Sequence, residues 1–119
     1  MSYDIGIYRI ETKIKEQESK QKDFFEDEKN LIPFSKEQKE SLIQRLFKYN
    51  FNKTNENNFG IEFLNTEYET LALLTKTTLY FQASWNEESI FEVGMTASEF
   101  TDTGEYAKYD PQNGEWEEI

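Results

Sequence analysis

The sequence predicts an α+β fold in which an antiparallel sheet of five to seven strands packs on one main helix. Three observations lead to this prediction. Short strand-like runs follow one another over residues 60–95 with brief connections, which is typical of an antiparallel meander. A capping signal at Ser35 precedes an amphipathic stretch over 36–49, and a turn signal near the C-terminus separates two short aromatic runs. No repeat or linker divides the chain, so residues 1–119 are expected to form a single domain.

The N-terminal residues predict a strand followed by a polar segment. Tyr3, Ile5 and Ile7 alternate with other residues, and β-branched and aromatic side chains dominate, so residues 3–10 are predicted to form a strand. Residues 11–22 are almost all charged or amide-bearing. This composition is typical of either an exposed helix or a mobile connection.

The clearest local signal is a capping box at the start of the main helix. Ser35 is placed to accept a hydrogen bond from the backbone of Gln38, whose side chain can reach back to Ser35. The helix is predicted to span 36–49. Its core-facing stripe is predicted to consist of Leu42, Ile43, Leu46 and Phe47. Asn50 is suited to end the helix in a left-handed conformation, and the Asn-rich residues 50–60 predict a loop.

Four strand-like runs come next along the chain. They cover residues 60–64, 68–75, 77–84 and 89–95. In the third run the predicted core residues are Leu79, Phe81 and Ala83, with Tyr80 and Gln82 on the opposite face. In the fourth run the predicted apolar face consists of Phe91, Val93 and Met95. Because the connections are short, the runs are predicted to pair as consecutive antiparallel strands.

The C-terminal third adds a short helix and a hairpin. Thr96 as N-cap, Glu99 at the third helical position and Gly104 after the end predict a helix near 97–103. The predicted hairpin strands cover 105–110 and 115–118. Between them, the "DPQNG" segment combines a favoured turn proline with an Asn-Gly pair, and Tyr109 and Trp116 are expected to pack near the base of the hairpin.

The net charge of −11 is confined to the second half of the chain. Residues 61–119 contain thirteen acids and two bases, Lys76 and Lys108, whereas residues 1–60 contain equal numbers of each. Such a field repels nucleic acid and anionic lipid, because phosphate binding needs Lys and Arg. It attracts basic proteins, although an acidic surface that serves only solubility gives the same composition.

Several chemistries are excluded by what the chain lacks. Without Cys or His there is no thiolate nucleophile, no disulfide and no common zinc ligand. Glycine-rich phosphate loops and nucleophile elbows are also missing, so no cofactor, metal or catalytic residue is expected. A pair of carboxylates could still act as in glycosidases. Glu62 and Glu92 are the acids within apolar runs, and their alternation predicts that they face solvent.

These observations favour a small acidic cytoplasmic domain that binds a basic protein. The predicted binding residues are Trp85, Glu87, Glu88, Asp110, Gln112, Glu115 and Trp116. In composition the chain resembles small, acidic, cysteine-poor bacterial α+β proteins, a group that includes immunity proteins, and the resemblance implies an inhibitor of a toxin. Two alternatives remain open at this point: a ligand-binding or carboxylate-based enzyme domain, and a housekeeping module. No nucleic-acid or membrane partner is expected.

Overall fold

The fold is described here from a computed structural model, which covers residues 2–19, 24–67, 69–84, 87–112 and 114–116. The strands are β1 (Ser2–Arg9), β2 (Asn52–Glu56), β3 (Ile61–Asn65), β4 (Thr70–Leu74), β5 (Leu79–Ser84), β6 (Tyr106–Asp110) and β7 (Glu115–Trp116). The helices are α1 (Ile10–Ser19), α2 (Lys36–Lys48) and α3 (Glu87–Glu99), with short 3-10 turns at Phe24–Glu26 and Glu28–Asn30. The described strands form one antiparallel sheet in the order β2-β3-β4-β5-β1-β6-β7. The predicted α+β class is therefore confirmed.

One face of the sheet packs on α2 and α3 and forms the main core. Alternation along β1 and β5 places Ile5 and Ile7 beside Phe81 and Leu79, and all four side chains are buried. The core residues predicted for β5 are thus confirmed, with Ala83 buried beside them. Aromatic side chains fill much of this layer; the Phe81 and Phe100 ring centroids, for example, lie 5.6 Å apart.

The opposite face is covered over only part of its area. A second cluster forms where the segment after α1 crosses the β1-β6-β7 side of the sheet, and it contains Tyr8, Phe24, Phe25, Leu31, Tyr109 and Trp116. Over β3, β4 and β5 this face stays exposed, with Leu71 and Tyr80 44% and 40% accessible. The sheet therefore has one fully packed face and one half-open face.

The predicted capping box and C-terminal hairpin are both confirmed. Ser35 Oγ accepts a hydrogen bond from Gln38 N at 3.1 Å, and Gln38 Oε1 accepts one from Ser35 N at 2.9 Å. Asn50 takes a positive φ of 69° just after α2. In the hairpin the Tyr109 and Trp116 ring centroids lie 5.0 Å apart, as the sequence predicts. Asn113 of the turn lies outside the described residues.

The prediction of a strand over 89–95 and a separate helix over 97–103 is wrong. The structure has one helix there, α3, which ends at Glu99 and places Thr96 inside it. Its buried residues are Ser89, Val93 and Ala97, which recur every four positions, whereas Phe91 and Met95 are exposed. Small side chains at Ser89 and Ala97 let the helix lie close to the sheet, and the large residues between them imitate a strand pattern.

The prediction of a loop over 50–60 is also wrong, because β2 forms an edge strand there. All five of its side chains are exposed, and a register shift separates Lys53 from Asn55. An edge strand held by backbone hydrogen bonds needs no apolar alternation. Of the two interpretations of residues 11–22, the helix is observed as far as Ser19. No helix in the described part of the chain is long and apolar enough to cross a membrane.

Candidate protein-binding surface

The uncovered part of the sheet presents side chains from four neighbouring strands in two rows. Strand register places Leu64, Leu71, Gln82 and Asp4 in one row. It places Glu62, Leu73, Tyr80 and Gly6 in the next row. We call this surface, formed by Asp4, Glu62, Leu64, Leu71, Leu73, Tyr80 and Gln82, the open face. Its centre is apolar or aromatic, and its two carboxylates lie at diagonally opposite corners.

A cleft of about 340 Å³ lies on the open face. Its side-chain lining includes Leu71, Leu73, Tyr80 and Gln82 together with both corner carboxylates. No Lys or Arg belongs to this lining within the described residues. The cleft is at the lower end of the size range of ligand pockets, so it fits a few side chains of a partner better than a large ligand.

Tyr80 connects this cleft to a second cavity and is held by the aromatic cluster. Its hydroxyl group interacts with that of Tyr8, and burial raises the pKa of Tyr8 well above the usual range. The second cavity, of about 440 Å³, is lined by Tyr80, Lys76 and Phe59, whose side chain is 82% exposed. The second cavity therefore adjoins the open face at Tyr80 and, unlike the first cleft, includes a basic residue, Lys76.

Strand register also brings distant segments to one end of the sheet. Ser2 pairs with Ser84, so the start of β1 lies beside the end of β5. The turn between β3 and β4 lies at the same end, because β4 runs antiparallel to β5. Tyr109 pairs with Gly6, which directs the β6–β7 turn to this end as well. The start of α3 follows β5 by three positions.

Each of these segments contributes carboxylates to this end of the sheet. We call the set Asp4, Glu67, Glu69, Glu87, Glu88 and Glu115 the acidic end. All except Asp4 are exposed. Lys48, which lines a shallow pocket with Glu67, partly offsets this charge. Elsewhere two acids of the second half have partners in the first half: Asp102 forms an ion pair with Arg45 at 3.1 Å, and Glu99 accepts a hydrogen bond from Tyr49.

The structure places three of the seven binding residues predicted from the sequence on the exposed acidic end, and the others elsewhere or outside the described residues. Glu87, Glu88 and Glu115 belong to the exposed acidic end. Trp85 lies outside the described residues. Trp116 is half-buried rather than exposed, because it packs in the aromatic cluster and its Nε1 donates a hydrogen bond to Glu16 at 2.9 Å.

Asp110 and Gln112 have structural partners within the sheet. Asp110 is buried, and its Oδ1 accepts hydrogen bonds from the Gln112 backbone at 3.0 Å and from Gln112 Nε2 at 2.7 Å. The Gln112 side chain also bonds the backbone N and O of Asp4, both at 2.8 Å. The Gln112 side chain thus forms the two hydrogen bonds that the backbone of a neighbouring strand would form with β1, and it holds the β6–β7 turn against Asp4.

The sequence interpretation missed Asp4, Leu71 and Leu73 as surface residues. The sequence of β4, Thr-Leu-Ala-Leu-Leu, shows apolar side chains on both faces, which is typical of a strand buried on both sides and does not mark its leucines as surface residues. Ala72 and Leu74 fill the core, which leaves the other two leucines for the opposite face.

A second apolar patch lies on α3. Phe91 is 62% exposed, and with Met95 it borders a shallow groove of about 650 Å³. Lys108 lies buried beside this groove, where its Nζ donates hydrogen bonds to Gly94 O at 3.2 Å and Ser98 Oγ at 3.1 Å. These bonds tie β6 to α3, which gives Lys108 a structural role.

A candidate metal centre is absent from the described residues. They contain no group of three or more Asp or Glu side chains that could hold a metal ion. Asp110 is the one acid that is buried among them. Asp4 and Glu62 are three strands and two positions apart, roughly 16 Å between Cα atoms.

Comparison with protein-family models, with curated proteins and with solved structures finds no match for this chain. A functional assignment therefore depends on the geometry and charge described above.

Proposed function

We propose that this chain is a small protein-binding domain that docks on a basic partner through its acidic end and open face. The observation that carries the proposal is that strand register directs carboxylates from four separate segments to one end of a sheet whose uncovered face is apolar at its centre. An apolar centre with a charged border is the usual composition of a specific protein interface. An inhibitor or immunity protein that covers the basic site of a toxin is the specific form that we propose, and a cytoplasmic location belongs to the same proposal.

The charge distribution supports a cationic partner. A net charge of −11 speeds association with a basic protein and selects against acidic ones. It also disfavours nucleic acid and anionic membranes as partners. Glu87 and Glu88 are exposed and lie outside every ion pair observed among the described residues, so they remain available for pairing.

Affinity capture from a lysate of the source organism at low and high salt tests this proposal. The Debye length shrinks from about 14 Å to about 4 Å between 50 and 500 mM salt, so a basic partner held by charge should be retained only at low salt. The captured protein is identified by mass spectrometry, purified and titrated calorimetrically against the wild-type domain. We expect the E87K/E88K variant to bind this purified partner at least about tenfold more weakly.

The matched control is E37K/E40K on α2. Both positions are exposed, the change in net charge is the same, and Glu37 occupies the first turn of its helix as Glu87 and Glu88 do. Equal losses in the two variants would indicate an effect of net charge alone and would refute the docking surface. Failure to retain any basic protein at low salt would refute the proposal as a whole.

A further inference from the structure

We infer that the open face binds an extended segment of the partner in which two arginines, at positions i and i+4, flank an apolar residue at i+2. This inference rests on the proposed function, and it names the chemistry that the cleft recognises.

The apolar part of the cleft needs an apolar side chain from the partner. Leu71 and Leu73 project from β4 on the uncovered face, and Tyr80 lies beside Leu73 on β5. Leu71 and Tyr80 keep 44% and 40% of their surface exposed. Covering that surface removes apolar area from water, which is favourable by about 25 cal/mol per Å². The volume of about 340 Å³ leaves room for an aliphatic side chain between these residues together with parts of its neighbours in the segment.

The two corners of the cleft need positive charge. Glu62 is exposed on β3, and Asp4 lies diagonally across on β1. A carboxylate has about four acceptor sites, so Asp4 can accept hydrogen bonds from a guanidinium in addition to its contacts within the protein. Lys76 lines the neighbouring cavity and not this cleft, so it does not compete with a partner's cation for the two carboxylates.

The separation of the corners specifies the spacing of the cations. The corners are roughly 16 Å apart between Cα atoms. In an extended chain, residues i, i+2 and i+4 face the same side, and i to i+4 spans about 13–14 Å. The two arginine side chains are long enough to reach across the difference between this span and the separation of the corners. A helix would need about eleven residues to span 16 Å, whereas an extended segment needs five, so the extended form is the more economical match to the two corners.

Arginine suits these corners better than lysine. Its guanidinium is more weakly hydrated than an ammonium group and can stack on an aromatic ring while it pairs with a carboxylate in a bidentate manner. Tyr80 offers such a ring inside the cleft. The stem of the arginine can also lie along the exposed leucines.

Titration of the ¹⁵N-labelled protein with two short peptides tests this inference. The first is acetyl-Gly-Arg-Thr-Leu-Thr-Arg-Gly-amide, and the second has the same composition in the order Gly-Arg-Leu-Arg-Thr-Thr-Gly. We expect the first peptide to shift backbone amide signals of β1, β3, β4 and β5 and to bind about fivefold more tightly than the second, the difference expected for one lost ion pair. Equal affinities, shifts confined to other elements, or no shifts at about 5 mM peptide would each overturn the inference.

Variants on the two faces of the molecule provide the controls. Glu62→Gln should weaken the first peptide about threefold to fivefold, and Leu71→Ala should do the same, whereas Glu40→Gln on α2 should have no effect. The two proposals fail separately. If capture of a partner depends on Glu87 and Glu88 while the peptides do not bind, the inference is wrong and the proposed function stands. If the first peptide binds but no basic protein is captured, the proposed function is wrong.

Discussion

Two buried tyrosine hydroxyl groups on the sheet have opposite surroundings. The Tyr8 hydroxyl interacts with Thr78 and Tyr80. The Tyr106 hydroxyl has no hydrogen-bond partner among the described residues, although the side chain is buried against Phe34. A buried hydroxyl without a partner costs free energy on folding, and burial raises the pKa of Tyr106 to about 12.

We expect Tyr106→Phe to keep or raise the free energy of unfolding at pH 7, by up to about 1 kcal/mol. The variant should also show a shallower loss of stability in alkali. An unfolded tyrosine loses its proton near pH 10, whereas folded Tyr106 keeps it until about pH 12. The wild-type protein therefore loses stability as the pH rises from 10 through 12, and Tyr106 contributes to that loss. Urea unfolding at pH 7, 10 and 11.5 measures both effects.

Tyr8→Phe is the matched control for this experiment. It removes a hydroxyl that has partners, so it should lower the free energy of unfolding at pH 7 by about 1 kcal/mol. If Tyr106→Phe were destabilising to the same extent, the Tyr106 hydroxyl would have a hydrogen bond in solution, contrary to the structure.

Among the elements, α3 shows how a helix can carry a strand-like pattern. Its buried positions, Ser89, Val93 and Ala97, are small or medium-sized, and the half-buried Gly94 lies next to Val93 in the middle of the helix. Gly94 weakens the helix, because glycine loses more backbone entropy on folding than any other residue. Tertiary packing on β5 and β1 outweighs this weak local preference.

Substitution of two glycines should therefore change stability in opposite directions. A Cβ atom at Gly94 would meet nothing within 4 Å, so Gly94→Ala should raise the free energy of unfolding by about 0.5–1 kcal/mol. A Cβ atom at Gly60 would lie 2.3 Å from the Leu74 carbonyl oxygen, so Gly60→Ala should lower it by about 1–3 kcal/mol. Chemical denaturation of both variants measures the effects. Destabilisation by Gly94→Ala would mean that residues 87–99 are not helical in solution.

At the scale of the whole molecule, repulsion between carboxylates dominates the electrostatics. The net charge is −11, and the ion pairs observed among the described residues are Arg9–Glu11, Arg45–Asp102 and Lys53–Glu56. All three are at least partly exposed to solvent, so each contributes little to stability. Screening by salt should therefore weaken the repulsion between carboxylates more than it weakens the attraction within these three ion pairs.

We expect the thermal midpoint of unfolding to rise by a few degrees between about 10 and 200 mM NaCl, because screening weakens the self-repulsion of the folded state. Calorimetry at constant pH measures this shift. The E37K/E40K and E87K/E88K variants, each four charge units less negative, should show a smaller dependence on salt. A midpoint that falls with NaCl would indicate that attractive pairs dominate, and it would contradict an uncompensated acidic end.

The sequence by itself determined the elements whose signals are local. The capping box of α2, the alternation in β1 and β5, the apolar runs of β3 and β4, and the turn chemistry of the C-terminal hairpin each depend on residues within a few positions of one another. The same is true of the charge asymmetry, from which Glu87, Glu88 and Glu115 could be named as candidate binding residues.

The remaining features were decided only by the tertiary structure. β2 is held by the backbone of β3 and needs no pattern of its own, and α3 owes its helical state to the sheet beneath it. Burial of Asp110 and Trp116 depends on Gln112 and on the aromatic cluster, whose members are far apart in sequence. Whether Leu71 and Tyr80 are core or surface depends on how far the segment after α1 extends across the sheet, and no local pattern in β4 or β5 encodes the position of that distant cover.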